Sequence, residues 1–152
     1  MARNEIFIKN EYQIRPSIAL PLHTNSYLRT LFEEEDGRIN GLEEKFMAKI
    51  SSLTNVKWWH RNVERVEFPI NGYLNHYPDF IIETNSGVIV LVETKGEHLD
   101  GDDSKKKLEL GQLWANHSNP TRYKYFMAFE RSPLNENGAD LLDNIIDTIS
   151  RL

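Results

Sequence analysis

The chain has 152 residues, enough for one domain that buries about 70% of the surface its unfolded form exposes, so it needs neither a disulfide nor a structural metal to fold. It contains no cysteine, which excludes a disulfide scaffold, a cysteine-ligated zinc or iron–sulfur centre and a thiol nucleophile. With 39% hydrophobic and 27% charged residues and a net charge of −5, it reads as a globular cytoplasmic protein, without a membrane span and without the basic surplus of a general nucleic-acid binder.

In chain order, Ile6, Ile8, Tyr12 and Ile14 alternate loosely over residues 5–18, which predicts an edge strand or arm interrupted by Pro16 and Pro21. Residues 1–24 are therefore set apart from a domain over 25–152. A short helix is expected near 26–34, then an acidic turn. The spacing of Leu42, Phe46, Ile50 and Leu53, widened by Met47, predicts a helix over 41–54, with Asn40 as cap and Glu43 as its capping-box partner. Trp58 and Trp59 read as core. Alternation over 63–69 predicts a strand. Asn71-Gly72 signals a turn.

Strands are expected over 77–84 and 88–94, joined by Asn85-Ser86-Gly87 as a hairpin. The run Val88 to Val92 is apolar on both faces, so this strand should be central and covered by helices on both sides. Ser104 is a candidate cap for a helix over 105–117, whose inner face is read as Lys107, Leu110, Leu113, Trp114 and His117. A strand over 123–129, a loop over 132–138 and a helix over 139–151 complete the chain. The fold class is α/β: a mixed central sheet of about four strands, flanked by helices, with an antiparallel meander followed by a crossover helix.

Acid gathers around one base. Residues 77–100 hold Asp79, Glu83, Glu93, Glu97 and Asp100 but only one lysine or arginine, Lys95. Asp79 falls at the start of one hairpin strand, Glu93 and Lys95 at the end of its partner, so the antiparallel pairing brings them together. Glu93 and Lys95 share a strand face. Thr94 faces away, but its backbone carbonyl reaches the site edge. Two carboxylates and a carbonyl are hard oxygen ligands suited to Mg²⁺ or Mn²⁺, and an adjacent lysine suits the activation of an attacking water.

Pro78-Asp79 and Glu93-Thr94-Lys95, with thirteen residues between Asp79 and Glu93, resemble the PD-(D/E)xK nuclease superfamily. Gly41-Leu42-Glu43-Glu44, Trp58-Trp59-His60-Arg61-Asn62, Tyr77-Pro78-Asp79-Phe80 and Glu93-Thr94-Lys95-Gly96, followed by Lys107 and Trp114, narrow the resemblance over about 25–130. Together they look like the C-terminal endonuclease domain of the restriction subunit of type III restriction enzymes. The resemblance implies a restriction-endonuclease-like fold and Mg²⁺-dependent DNA cleavage, with Mn²⁺ as a substitute. It implies Asp79 and Glu93 as metal ligands, Lys95 as the catalytic lysine, and Glu43 as a further catalytic acid meeting the metal directly or through water. Lys107, Arg61, His60 and Asn62 become candidate DNA contacts. The implied partners are DNA and an ATP-dependent helicase or translocase module in the same or another chain. Double-strand cleavage makes a homodimer an expectation. The chain itself carries no phosphate-binding loop of such a motor. The alternative is a non-catalytic DNA-binding or assembly module that keeps the fold.

Overall fold

A computed structural model describes residues 41–62, 68–72, 75–96 and 101–152. The expected arm, the helix at 26–34, the Asn40 cap and most of the strand at 63–69 lie outside these residues. The described elements are α1 (Gly41–Ser51), β1 (Val56–Arg61), β2 (Phe80–Thr84), β3 (Ile89–Lys95), α2 (Gly101–Ser118), β4 (Tyr123–Phe129), β5 (Ala139–Leu141) and α3 (Leu142–Ser150). No helix among the described residues is long and apolar enough to cross a membrane.

The strands form one mixed sheet in the order β1-β2-β3-β4-β5. β1, β2 and β3 are an antiparallel meander, and β4 and β5 then add parallel to β3. The doubly apolar β3 lies at the centre, as its sequence requires. Its even residues Val90 and Val92 join Phe80, Ile82 and Trp59 beneath α1 and α3, which supply Phe46, Ile50, Ile145 and Ile149. Its odd residue Leu91 joins Ile81, Tyr125 and Met127 beneath α2, which supplies Leu108, Leu110 and Trp114. The hairpin turn is held by Thr84 N–H donating to Val88 O (2.9 Å) and Gly87 N–H to Thr84 O (3.0 Å). Gly87 takes φ +86°, the left-handed conformation that glycine adopts without steric cost.

Three sequence expectations are corrected. The first strand is Val56–Arg61, which the sequence reading left unassigned. A register shift between Val56 and Trp58 inserts Lys57 as a bulge, so Val56 and Trp59, three apart, face the same core. The bulge removes the period-two signal. Next, residues 139–141 are a fifth strand, and the last helix starts at Leu142. β5 pairs only with Met127 to Phe129, so the chain needs to return just two residues' length along β4, and no crossover helix is required. Finally, α2 begins at Gly101, and its buried stripe is Ser104, Leu108, Leu110, Gly111, Trp114 and Ala115. Leu113 is exposed, as is His117.

Among the described residues, β5 pairs with the outer edge of β4 only over Met127 to Phe129. Gln112 on α2 reaches across and donates from Nε2 to Tyr125 O (3.0 Å) and Asn137 O (3.4 Å). Gly138 passes beneath this amide at φ +87°, and a Cβ there would collide with Gln112 Nε2.

α2 approaches β4 closely because Gly111 lies against the Tyr125 ring, where any Cβ would overlap ring carbons. Gly111→Ala gains about 1 kcal/mol of helix propensity but must displace a fully buried ring, so it should destabilise the fold by about 2 kcal/mol net in urea denaturation.

Candidate active site

Asp79 immediately precedes β2, and Glu93 lies near the end of β3. The β2–β3 register pairs Phe80 with Val92, so the next step outward sets Asp79 opposite Glu93. Side chains alternate along each strand. Asp79 follows Ile81, and Glu93 and Lys95 follow Leu91, onto the face covered by α2. Two carboxylates and one ammonium therefore converge at one end of the central strands.

Thr94 does more than the sequence reading assigned to it. Its backbone N–H and its Oγ1 both donate to Asp79 Oδ2, each at 2.7 Å. The side chain read as turned away thus clamps the first carboxylate. Both bonds fall on one oxygen, which leaves Oδ1 for other ligands. Glu130 N–H donates to Lys95 O on the β4 side (2.9 Å), so by alternation the peptide groups of Thr94 point toward β2. The Thr94 carbonyl accordingly faces the Asp79 edge.

Glu93 is 6% exposed. Its Oε1 pairs with Lys95 Nζ at 2.9 Å. Its Oε2 is buried and has no hydrogen-bond partner among the described residues. Burial pushes the Glu93 carboxyl up to about 8, with the Asp79 charge adding to the rise and Lys95 opposing it. Asp79 is likewise raised, chiefly by burial, against the pull of its two Thr94 bonds and the Lys95 and Arg61 charges. A buried acid pair with one orphaned oxygen binds a proton or another cation.

Around this pair lie two further groups outside the candidate site residues. The Tyr125 hydroxyl is hydrogen-bonded to His76 Nε2 beneath the sheet end. Burial, then the Lys107 and Lys95 charges, push His76 down to about 3, so its ring is neutral. Tyr125 is held well above its ordinary range by burial and by the Glu93 and Asp79 charges. The period-two alternation of β4 would have placed Tyr125 on this face. No local signal marked His76 as its partner.

The remaining candidates separate. Glu43 is buried on α1's inner stripe, and its Oε2 pairs with Arg61 Nη2 at 3.3 Å. The same Arg61 charge also acts on Asp79. Among the described residues no group of three His, Asp or Glu side chains forms a cluster able to hold a metal ion. Asn62 is built into the fold: its Nδ2 donates to Phe68 O (2.8 Å) and Pro78 O (2.9 Å), and its Oδ1 accepts from Phe68 N–H (3.0 Å). That bracket holds the segment leading to Asp79. His60 is 1% exposed, so neither it nor Asn62 presents a surface to DNA. Lys107 is half-buried on α2 and lies close enough to Glu93 for the two charges to act on each other.

Comparison with protein-family models, with curated proteins and with solved structures finds no match to this chain.

The acid pair gives a pH dependence of stability in chelator. The folded state keeps the Glu93 proton up to about pH 8, whereas an ordinary glutamate releases it near 4.5. Between these values the native state binds more protons than the unfolded state, so this contribution to stability is fully present below about 4.5 and declines until about 8. Denaturant midpoints measured from pH 5 to pH 9 should fall with pH and level off. Glu93→Gln should be more stable than the parent protein at pH 8, with the difference shrinking toward pH 5.

Proposed function

We propose that this domain is a Mg²⁺-dependent endonuclease that hydrolyses DNA phosphodiester bonds, with the restriction-endonuclease-like fold of the PD-(D/E)xK superfamily. The observation that carries the reading is the convergence of Asp79, Glu93 and Lys95 on one sheet face with Glu93 Oε2 buried and unpartnered. The sheet order and the α2 crossover between β3 and β4 are compatible with it.

The donor set suits the ion. Mg²⁺ commonly takes one or two carboxylates and completes its coordination with water and substrate phosphate, so a third acid is not required. Asp79 Oδ1 and Glu93 Oε2 would hold it, with the Thr94 carbonyl at the edge. When bound, the ion neutralises phosphate charge and makes water a better nucleophile.

The chain's own residues then have distinct tasks. Thr94 fixes the Asp79 carboxylate by two bonds to one oxygen, so the other keeps a constant direction. Lys95 holds Glu93 by Oε1, which would leave Oε2 to the ion. Within the same reach, the Lys95 ammonium orients the attacking water and the phosphate oxygen beside it. Arg61, tied to Glu43, braces α1 against the end of β1. Glu43, through Arg61, thereby supports the strand end beside Asp79. A DNA-translocating motor in the same or a partner chain, as in type III restriction systems, is the partner this activity implies.

Plasmid cleavage in Mg²⁺, Mn²⁺ and chelator tests the proposal. Lys95→Ala should lower the single-turnover rate by about 10² or more while its melting temperature stays near that of the parent. Added Mg²⁺ or Mn²⁺ should raise the parent's melting temperature, more at pH 8 than at pH 6, because binding displaces the Glu93 proton. Asp79→Asn should abolish that rise. A folded parent protein that neither cleaves nor gains stability from either ion would favour a non-catalytic DNA-binding module.

A further inference from the structure

Lys105, Lys106 and Lys107 form the basic run of α2, and they diverge in space. Lys105 pairs outward with Glu136 (3.3 Å). Lys107 is placed differently. It lies on the helix side that carries Leu110, Gly111 and Trp114, one turn nearer the N-terminus, where the buried stripe reaches the acid site. Its side chain is 26% exposed, half the exposure of Lys105. Its Nζ is 3.2 Å from Asp103 Oδ2, and the Asp103 side chain is 48% exposed. Burial alone would make Lys107 easier to deprotonate, but Glu93 and Asp103 together hold it charged.

Lys107 is thus a half-buried cation beside the acid pair, and its partner is an anionic oxygen group on the solvent side. A carboxylate and a phosphate diester present similar acceptors to an ammonium. We infer that Lys107 is a subsite for a backbone phosphate next to the one cleaved, and that Asp103 is its built-in competitor, occupying Lys107 until a nucleic-acid strand displaces it. The inference rests on the nuclease reading for the identity of the ligand as DNA. Charge balance supports it. Once a divalent cation has displaced the Glu93 proton, Asp79, Glu93 and Asp103 carry three negative charges against the four positive charges of Lys95, Lys107 and the ion. With Asp103 turned to water the remaining group stands at +2, which the phosphate to be cleaved and one neighbouring phosphate neutralise. Asp103 then tunes affinity: it lowers the grip on any phosphate that arrives before the acid pair is filled.

The test is the affinity of a short labelled DNA duplex, measured by fluorescence anisotropy at low salt in chelator, where no hydrolysis occurs. Lys107→Ala should weaken binding about fivefold and reduce the slope of log affinity against log salt by about 0.9, the loss of one phosphate contact. Asp103→Asn should tighten binding about threefold. The gain should vanish in the double variant Asp103→Asn/Lys107→Ala, because the competitor matters only while the lysine is present. Glu109→Gln removes the same charge from an exposed position on the same helix and should change affinity far less. Equal gains from Asp103→Asn with and without Lys107 would reduce Asp103 to a general repulsive charge and overturn the inference. So would unchanged affinity in both single variants, or no binding by any of the proteins. Melting curves of the variants exclude loss of folding as the cause. Cleavage in Mg²⁺ without this coupling overturns the subsite alone, whereas the coupling without cleavage overturns the nuclease reading and leaves a phosphate-binding cleft.

Discussion

Two carboxylates are forced together here by backbone register. Once Phe80 pairs with Val92, Asp79 has nowhere to go but opposite Glu93, and the alternation that buries Ile81 and Leu91 beneath α2 also turns both acids to that side. Moving either acid away would require a one-residue slip, which would exchange the apolar faces of a strand covered on both sides. The hydrophobic effect therefore holds two mutually repelling groups in place. Burial raises both acids and the Asp79 charge adds to the rise at Glu93, while Lys95 at both and the Thr94 donors at Asp79 offset only part of it.

Such a cluster costs stability, and nothing in the packing demands it. Neutral side chains of similar size would satisfy the same strand ends. A fold otherwise consistent from local propensity to core, with one costly polar focus at the end of its central strands, has the pattern expected of a site kept for chemistry. The supporting contacts are specific. Asn62 ties the segment before Asp79 by three hydrogen bonds, and the Arg61–Glu43 pair fixes the end of β1 beside it.

The central elements were legible because their signals are local. The apolar run of β3, the glycine turn before it and the alternation of β4 each reside within a few residues. β4 falls at 123–129 and α1 starts at 41, as read. The pairing of Asp79 with Glu93 was legible as well, since a hairpin needs only a turn and two strands. What escaped reading depends on distant contacts. β1 was hidden by its bulge, and β5 by its three-residue length. The face of α2 was rotated in the reading because Gly111, silent in a hydrophobicity pattern, is where the helix comes nearest to Tyr125. The Thr94 clamp was missed because alternation sends its side chain to the opposite face, yet at the sheet end a hydroxyl can still reach around to Asp79. Asn62 and His60 read as candidate DNA contacts because nothing local marks them as buried; the partners of Asn62 are six and sixteen residues away.

The short fifth strand has a consequence for how this protein behaves at high concentration. An unpaired strand edge is a template on which another chain can add and extend the sheet indefinitely. Gln112 blunts that template by placing its amide on the Tyr125 carbonyl, the acceptor an incoming strand would need first, and Gly138 is the residue small enough to let the amide lie there. One side chain from the neighbouring helix thereby works as an end stop against strand addition at this carbonyl.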